Sequence, residues 1–134
     1  MFSIMLVDDQ PAILTSFKSL VESTGIAEVV ATETDGDAAV SSALDLKPDL
    51  ILLDVSLGGV SGIDIARRLF EQWPAARVLA VSAHADSIYV RSMLKAGASG
   101  YMLKDHAPEE IESAIKMIMN GSQWIGAGLA PNPD

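Results

Sequence analysis

Asp8 and Asp9 stand side by side at the end of an apolar run, Ile4-Met5-Leu6-Val7. Two further runs also finish in polar residues, Leu50-Ile51-Leu52-Leu53 in Asp54 and Val78-Leu79-Ala80-Val81 in Ser82, and a fourth, Tyr101-Met102-Leu103, finishes in Lys104. Three carboxylates in one crevice repel one another, so at neutral pH such a site needs protons or a cation. Oxygen-only ligands suit Mg²⁺ or Mn²⁺ better than zinc, and sites of this kind keep several waters and await a phosphate. An aspartate can then act as the nucleophile and form an acyl phosphate. The oxygens of the transferred group need positive charge, which a divalent ion and Lys104 supply together, with Ser82 as a hydroxyl donor.

These residues meet only if the four runs are parallel strands of one sheet, because open α/β sheets bind ligands at the carboxyl ends of their strands. Short apolar runs alternate with helical periodicity five times along the chain. Pro11 opens the first helix, with Ile13, Phe17, Leu20 and Val21 on one face, ending near Gly25. Val29-Val30-Ala31 reads as the second strand, and Asp35 or Asp37 caps a helix that turns Val40, Ala43 and Leu44 inward. After Asp54 a loop from Val55 to Ser61 leads to a helix closed by Trp73-Pro74. Gly97 stops the fourth helix, and Pro108 begins the last, whose Ile111, Ala114, Ile115 and Ile118 form one stripe ending at Gly121.

Five βα units predict an α/β fold with a five-stranded parallel sheet, doubly wound and flavodoxin-like, in the order 2-1-3-4-5. In that order strands one and three are neighbours. Asp8 and Asp9 then face Asp54 across the switch-point crevice, with Ser82 and Lys104 beyond.

Bulk properties narrow the class. A chain of 134 residues with 49% hydrophobic and 20% charged residues fits one globular domain. No apolar run approaches the roughly 18 residues of a membrane span, and no export signal opens the chain, so a soluble cytoplasmic protein without membrane contact is expected. The absence of cysteine removes disulfides and thiolate metal sites. A net charge of -9 argues against nucleic-acid binding by this segment, since phosphate contacts need clustered Lys and Arg.

With those residues in place, the chain resembles the receiver domain of two-component response regulators over residues 2 to about 121. Lys95 to Asp105, and Pro108-Glu109-Glu110-Ile111 with Gly121, resemble the NarL and LuxR type. The resemblance implies Asp54 as phosphoacceptor, Asp9 and Asp54 as direct Mg²⁺ ligands, Asp8 acting through water, and the Ser56 backbone carbonyl completing the set. It implies that Lys104 pairs with the phosphoryl group, that Ser82 is the switching hydroxyl and Tyr101 the aromatic that follows it, and that Ser56 and His84 tune the phosphate's lifetime. Ala83 is small, as access to the acceptor requires.

The same resemblance implies a sensor histidine kinase as partner, a homodimer when phosphorylated, and no turnover enzyme. It also implies a C-terminal helix-turn-helix output domain, through which alone DNA would be bound. None fits after Gly121, so residues 1–121 are expected to be the receiver and 122–134 a linker or tail, Gly126 to Pro133 reading as flexible. A stand-alone receiver is the alternative. Two other readings stay open, a Mg²⁺-dependent phosphohydrolase and an inactive protein-binding module. Two departures stand out: Gly58, followed by Gly59, replaces the family's frequent Pro and predicts a mobile loop, and Ser82 stands where Thr is commoner.

Overall fold

The computed structural model describes residues 1–129. The chain runs β1 (Phe2–Val7), α1 (Pro11–Ser23), β2 (Ala27–Glu33), α2 (Gly36–Leu46) and β3 (Leu50–Asp54). A small hairpin follows, β4 (Ser56–Leu57) with β5 (Val60–Ser61), and then α3 (Gly62–Gln72) and β6 (Val78–Ser82). The rest is α4 (Ser87–Ala96), β7 (Gly100–Leu103), a 3₁₀ turn (Lys104–His106), α5 (Ala107–Met119) and β8 (Trp124–Ile125).

The main sheet has the order β2-β1-β3-β6-β7-β8, and all its pairs are parallel. Once the hairpin strands are set aside, its first five strands follow the order expected from the sequence. The alternation of side chains along each strand divides the core into two layers. Ile4, Leu6, Leu50, Leu52, Leu79, Val81 and Met102 pack against α1 and α5. Met5, Val7, Ile51, Leu53, Val78, Ala80 and Tyr101 pack against α2, α3 and α4. The central strand β3 is buried along its whole length, as its unbroken apolar run requires. Each such Leu or Ile contributes about 2 kcal/mol through burial.

Local signals explain the helix boundaries. Pro lies in the first turn of α1 and of α5, where its missing N–H costs nothing. Asp35 caps α2 by accepting from the Ala38 N–H at 2.9 Å, and Asp86 caps α4 by accepting from Ile88 at 2.9 Å. Gly97 ends α4 at φ +123. β2 is longer than the three apolar residues suggest because it is an edge strand, and its alternating burial admits Glu28 and Thr32 on the open side.

The stretch after Gly121 differs from the expected linker. Trp124 and Ile125 form a sixth strand on β7, and Ala127 donates its N–H to Glu110 at 2.9 Å. Without β8, the outer edge of β7 would present unpaired backbone groups, and two apolar residues suffice to cover it. The part of the expected tail formed by Ala130, Pro131, Asn132 and Pro133 lies outside the described residues. Among the described residues no helix is long and apolar enough to cross a membrane.

Candidate functional site

Strand register brings the polar residues to one edge. Val7, Leu53, Ala80 and Tyr101 are aligned across β1, β3, β6 and β7. One residue further, Asp54 stands beside Val81, and beyond it Ser82 stands beside Leu103. Asp8, Asp9 and Lys104 lie in the turns that leave β1 and β7 at the same edge. All five residues that the sequence singled out are therefore brought together.

Asp8, Asp9 and Asp54 offer carboxylate oxygens within 4.8 Å of one another. Asp8 and Asp54 are each about 5% exposed, whereas Asp9 is open to solvent at the rim. Asp8 accepts from the Gln10 N–H at 3.0 Å, and Asp54 from the Ser56 N–H at 3.2 Å. The Lys104 ammonium spans the two buried carboxylates, 2.9 Å from Asp8 and 3.4 Å from Asp54. Burial pushes the Asp54 carboxyl above its usual range; the Ser56 N–H and the Lys104 charge pull it back, and the Asp8 charge adds to the rise. Burial also pulls the Lys104 ammonium down, but its bond to Asp8 and the Asp54 and Asp8 charges outweigh this and leave it raised.

One lysine therefore faces three carboxylates, two of them buried. An all-oxygen donor set with surplus negative charge fits a hard divalent cation, and the three aspartates are the residues that could hold one. No histidine belongs to this group among the described residues. A cavity of about 250 Å³ opens over it, lined by Asp9, Gln10, Asp54, Ser56, Ser82, Ala83, His84 and Lys104. A second cavity of about 370 Å³ shares Ser56, Ser82 and His84 and extends to Val60 and Tyr89. Open space is thus present beside Asp54.

Ser82 and Tyr101 lie on the α4 side of the sheet. The Ser82 hydroxyl accepts from the His84 N–H at 3.1 Å. Tyr101 is fully buried, and its hydroxyl has no hydrogen-bond partner. Burial raises the phenol's pKa, and the nearby Ser82 hydroxyl offsets part of the rise without forming a bond that satisfies it. Buried hydroxyls in folded proteins are almost always paired, which sets this one apart.

Two features escaped the sequence reading. Gly58 and Gly59 form the tight turn of the β4–β5 hairpin, in which Leu57 pairs with Val60. Both have positive φ, +54 and +94, as a two-residue type I′ turn requires. Proline, fixed near −65°, cannot take the first of these values, which accounts for the departure at position 58. The other feature is Gly62, whose N–H donates to the Val55 carbonyl at 2.6 Å. A Cβ there would stand 2.2 Å from the Asp54 carbonyl oxygen, so only glycine lets α3 begin against the backbone that carries Asp54. Its signal was a glycine in a helix's first turn, where almost any other residue is a better helix former.

Comparison with known proteins identifies the family. The family model for the response regulator receiver domain matches residues 4–116. The transcriptional regulatory protein DegU of Brevibacillus brevis is 34% identical over 129 residues, covering 96% of this chain and 55% of that protein. The nitrate/nitrite response regulator protein NarL of Escherichia coli is 33% identical over 129 residues, covering 96% and 60%. The crystal structure of a two-component response regulator of the LuxR family from Aurantimonas superposes with a TM-score of 0.89 at 33% identity, covering 92% of this chain and 89% of that one. The chain thus spans little more than half the length of the curated relatives it matches.

Proposed function

The chain belongs to the response regulator receiver domain family, and from that premise we propose that it is a phosphorylation-controlled switch whose acceptor is Asp54. The observation that carries this reading is the Lys104 bridge between Asp8 and Asp54 beneath an open cavity. A carboxylate is held there next to a cation that can follow a phosphoryl group.

Receivers of this family take their phosphoryl group from a histidine kinase. An oxygen of Asp54 attacks phosphorus, the bond from phosphorus to the histidine nitrogen breaks, and its electron pair returns to the imidazole. Lys104 then exchanges Asp8 for a phosphoryl oxygen, and Ser82 turns its hydroxyl from the His84 N–H toward another. Tyr101, buried beside Ser82 with an unpaired hydroxyl, registers that movement. A bound Mg²⁺, or Mn²⁺ in its place, supplies the charge that lets three carboxylates and a phosphoryl group share one crevice. Asp9, Asp54 and the Ser56 carbonyl would hold it directly, and Asp8 would act through water.

Ser56 and His84 border the approach to Asp54 and set the phosphate's lifetime by shaping the path of the attacking water. The chain assists its own phosphorylation and dephosphorylation and is not a turnover enzyme. In the longer protein that the relatives' lengths suggest, the receiver includes β8 and leads to a helix-turn-helix output domain that binds DNA. The phosphorylated form pairs as a homodimer in the cytoplasm. Beryllium fluoride with Mg²⁺ tests the switch. It should change tryptophan fluorescence and sedimentation of the wild-type chain and leave Asp54→Asn unaffected; a silent wild type would favour an inactive binding module.

A further inference from the structure

The β4–β5 hairpin turns on two glycines, and only one of them faces the acidic site. A Cβ on Gly58 would stand 3.2 Å from Asp9 Oδ2, 3.9 Å from its Cβ and 4.0 Å from its Cγ. A Cβ on Gly59 would meet nothing within 4 Å. Both positions have positive φ, so a side chain strains the backbone at either one. Beyond their backbone angles, φ +54 against +94, what separates the two glycines is contact with Asp9.

Asp9 is also the carboxylate with the least to hold it. Asp8 and Asp54 are buried and bonded to Lys104, whereas Asp9 is exposed and lies outside that bridge. What stands against its carboxylate from the loop side is the tip of the hairpin.

We infer that Gly58 is a positioning residue for Asp9: lacking a side chain, it lets the hairpin tip close on the carboxylate and hold it toward Asp8 and Asp54. The inference rests on the proposed role of Asp9 as a Mg²⁺ ligand. A methyl group at position 58 occupies the space beside Oδ2. Because Asp9 is exposed, its carboxylate gives way by a few tenths of an ångström, out of register with Asp8 and Asp54, while the fold stays intact. Removing the group that orients a metal ligand typically weakens binding about 10- to 100-fold.

The test measures Mg²⁺ affinity by titration calorimetry and thermal stability on the same full-length samples. Gly58→Ala and Gly59→Ala should both melt at lower temperature, through backbone strain. Gly58→Ala should bind Mg²⁺ about tenfold more weakly, and Gly59→Ala should bind it like the wild type. In an Asp9→Ala background, Gly58→Ala should add no further loss, because the contact it disturbs is already gone. If Gly58→Ala does not fold, Gly58→Asn carries the comparison, since Asn tolerates the left-handed region. Equal losses at 58 and 59, or unchanged affinity in Gly58→Ala, would overturn the inference and leave the metal site standing. A wild type without Asp54-dependent Mg²⁺ binding would overturn the metal reading, and this inference with it.

Discussion

The ammonium of Lys104 stands 2.9 Å from Asp8, closer than the 3.4 Å that separates it from Asp54. It thus serves as the internal cation of a site built from repelling carboxylates. Replacing it by alanine leaves two buried carboxylates without counter-charge, a change that typically costs about 3 kcal/mol. Urea unfolding at neutral pH should show Lys104→Ala destabilised on that scale, with added Mg²⁺ recovering part of the loss. Because the Lys104 pKa is raised in the fold, its contribution is complete below the usual lysine range. It should fade as pH rises through the folded value.

The raised pKa of Asp54 has the opposite character. The folded chain holds that proton more readily than the unfolded chain, so this group lowers stability as pH rises from the ordinary value of 3.8 through the folded value. Asp54→Asn removes this pH dependence. Urea unfolding across acidic pH without metal should show the wild type losing ground to Asp54→Asn as pH rises, and Mg²⁺ should reverse the order by stabilising only the wild type.

Asp8 and Asp9 are adjacent in sequence but not equivalent in place. Asp8 is buried and already bonded to Lys104 and to the Gln10 N–H, while Asp9 is exposed at the cavity rim. In the proposed site only Asp9 of the pair binds the ion directly. Calorimetry should find Mg²⁺ affinity reduced about tenfold more by Asp9→Asn than by Asp8→Asn, the difference between losing a ligand and losing its support.

The constellation was legible because parallel βα topology makes the end of each strand a predictable position. Once Ile4–Val7, Leu50–Leu53, Val78–Val81 and Tyr101–Leu103 were read as strands, Asp8, Asp54, Ser82 and Lys104 had to share an edge. The hairpin was not legible, since two-residue strands carry no periodicity and a Gly-Gly pair permits both a tight turn and a mobile loop. β8 was missed for the same reason. Trp124 and Ile125 are too few to declare a strand, and what fixes them is the open edge of β7, a tertiary fact. The role of Gly62 depends on how closely α3 approaches the Asp54 carbonyl, which spacing along the chain does not report.

Tyr101 offers a separate check on the switch. Its buried hydroxyl has no partner, so Tyr101→Phe removes a desolvated group at no loss of bonding. Metal-free stability should be unchanged or raised by up to about 1 kcal/mol, while the fluorescence response to beryllium fluoride shrinks. In a spectrophotometric titration Tyr101 should ionise late, because burial holds its phenol above the ordinary 10.0. Stability should fall as pH rises through that step, and Tyr101→Phe should lose this dependence.

The central claim is that Asp54 accepts a phosphoryl group. Incubation with a small phosphodonor and Mg²⁺, followed by intact-mass spectrometry, tests it directly. The wild-type chain should gain the mass of one phosphoryl group, and Asp54→Asn should gain none. Modification that persists in Asp54→Asn, or a wild type that stays unmodified while Mg²⁺ is bound, would contradict the account.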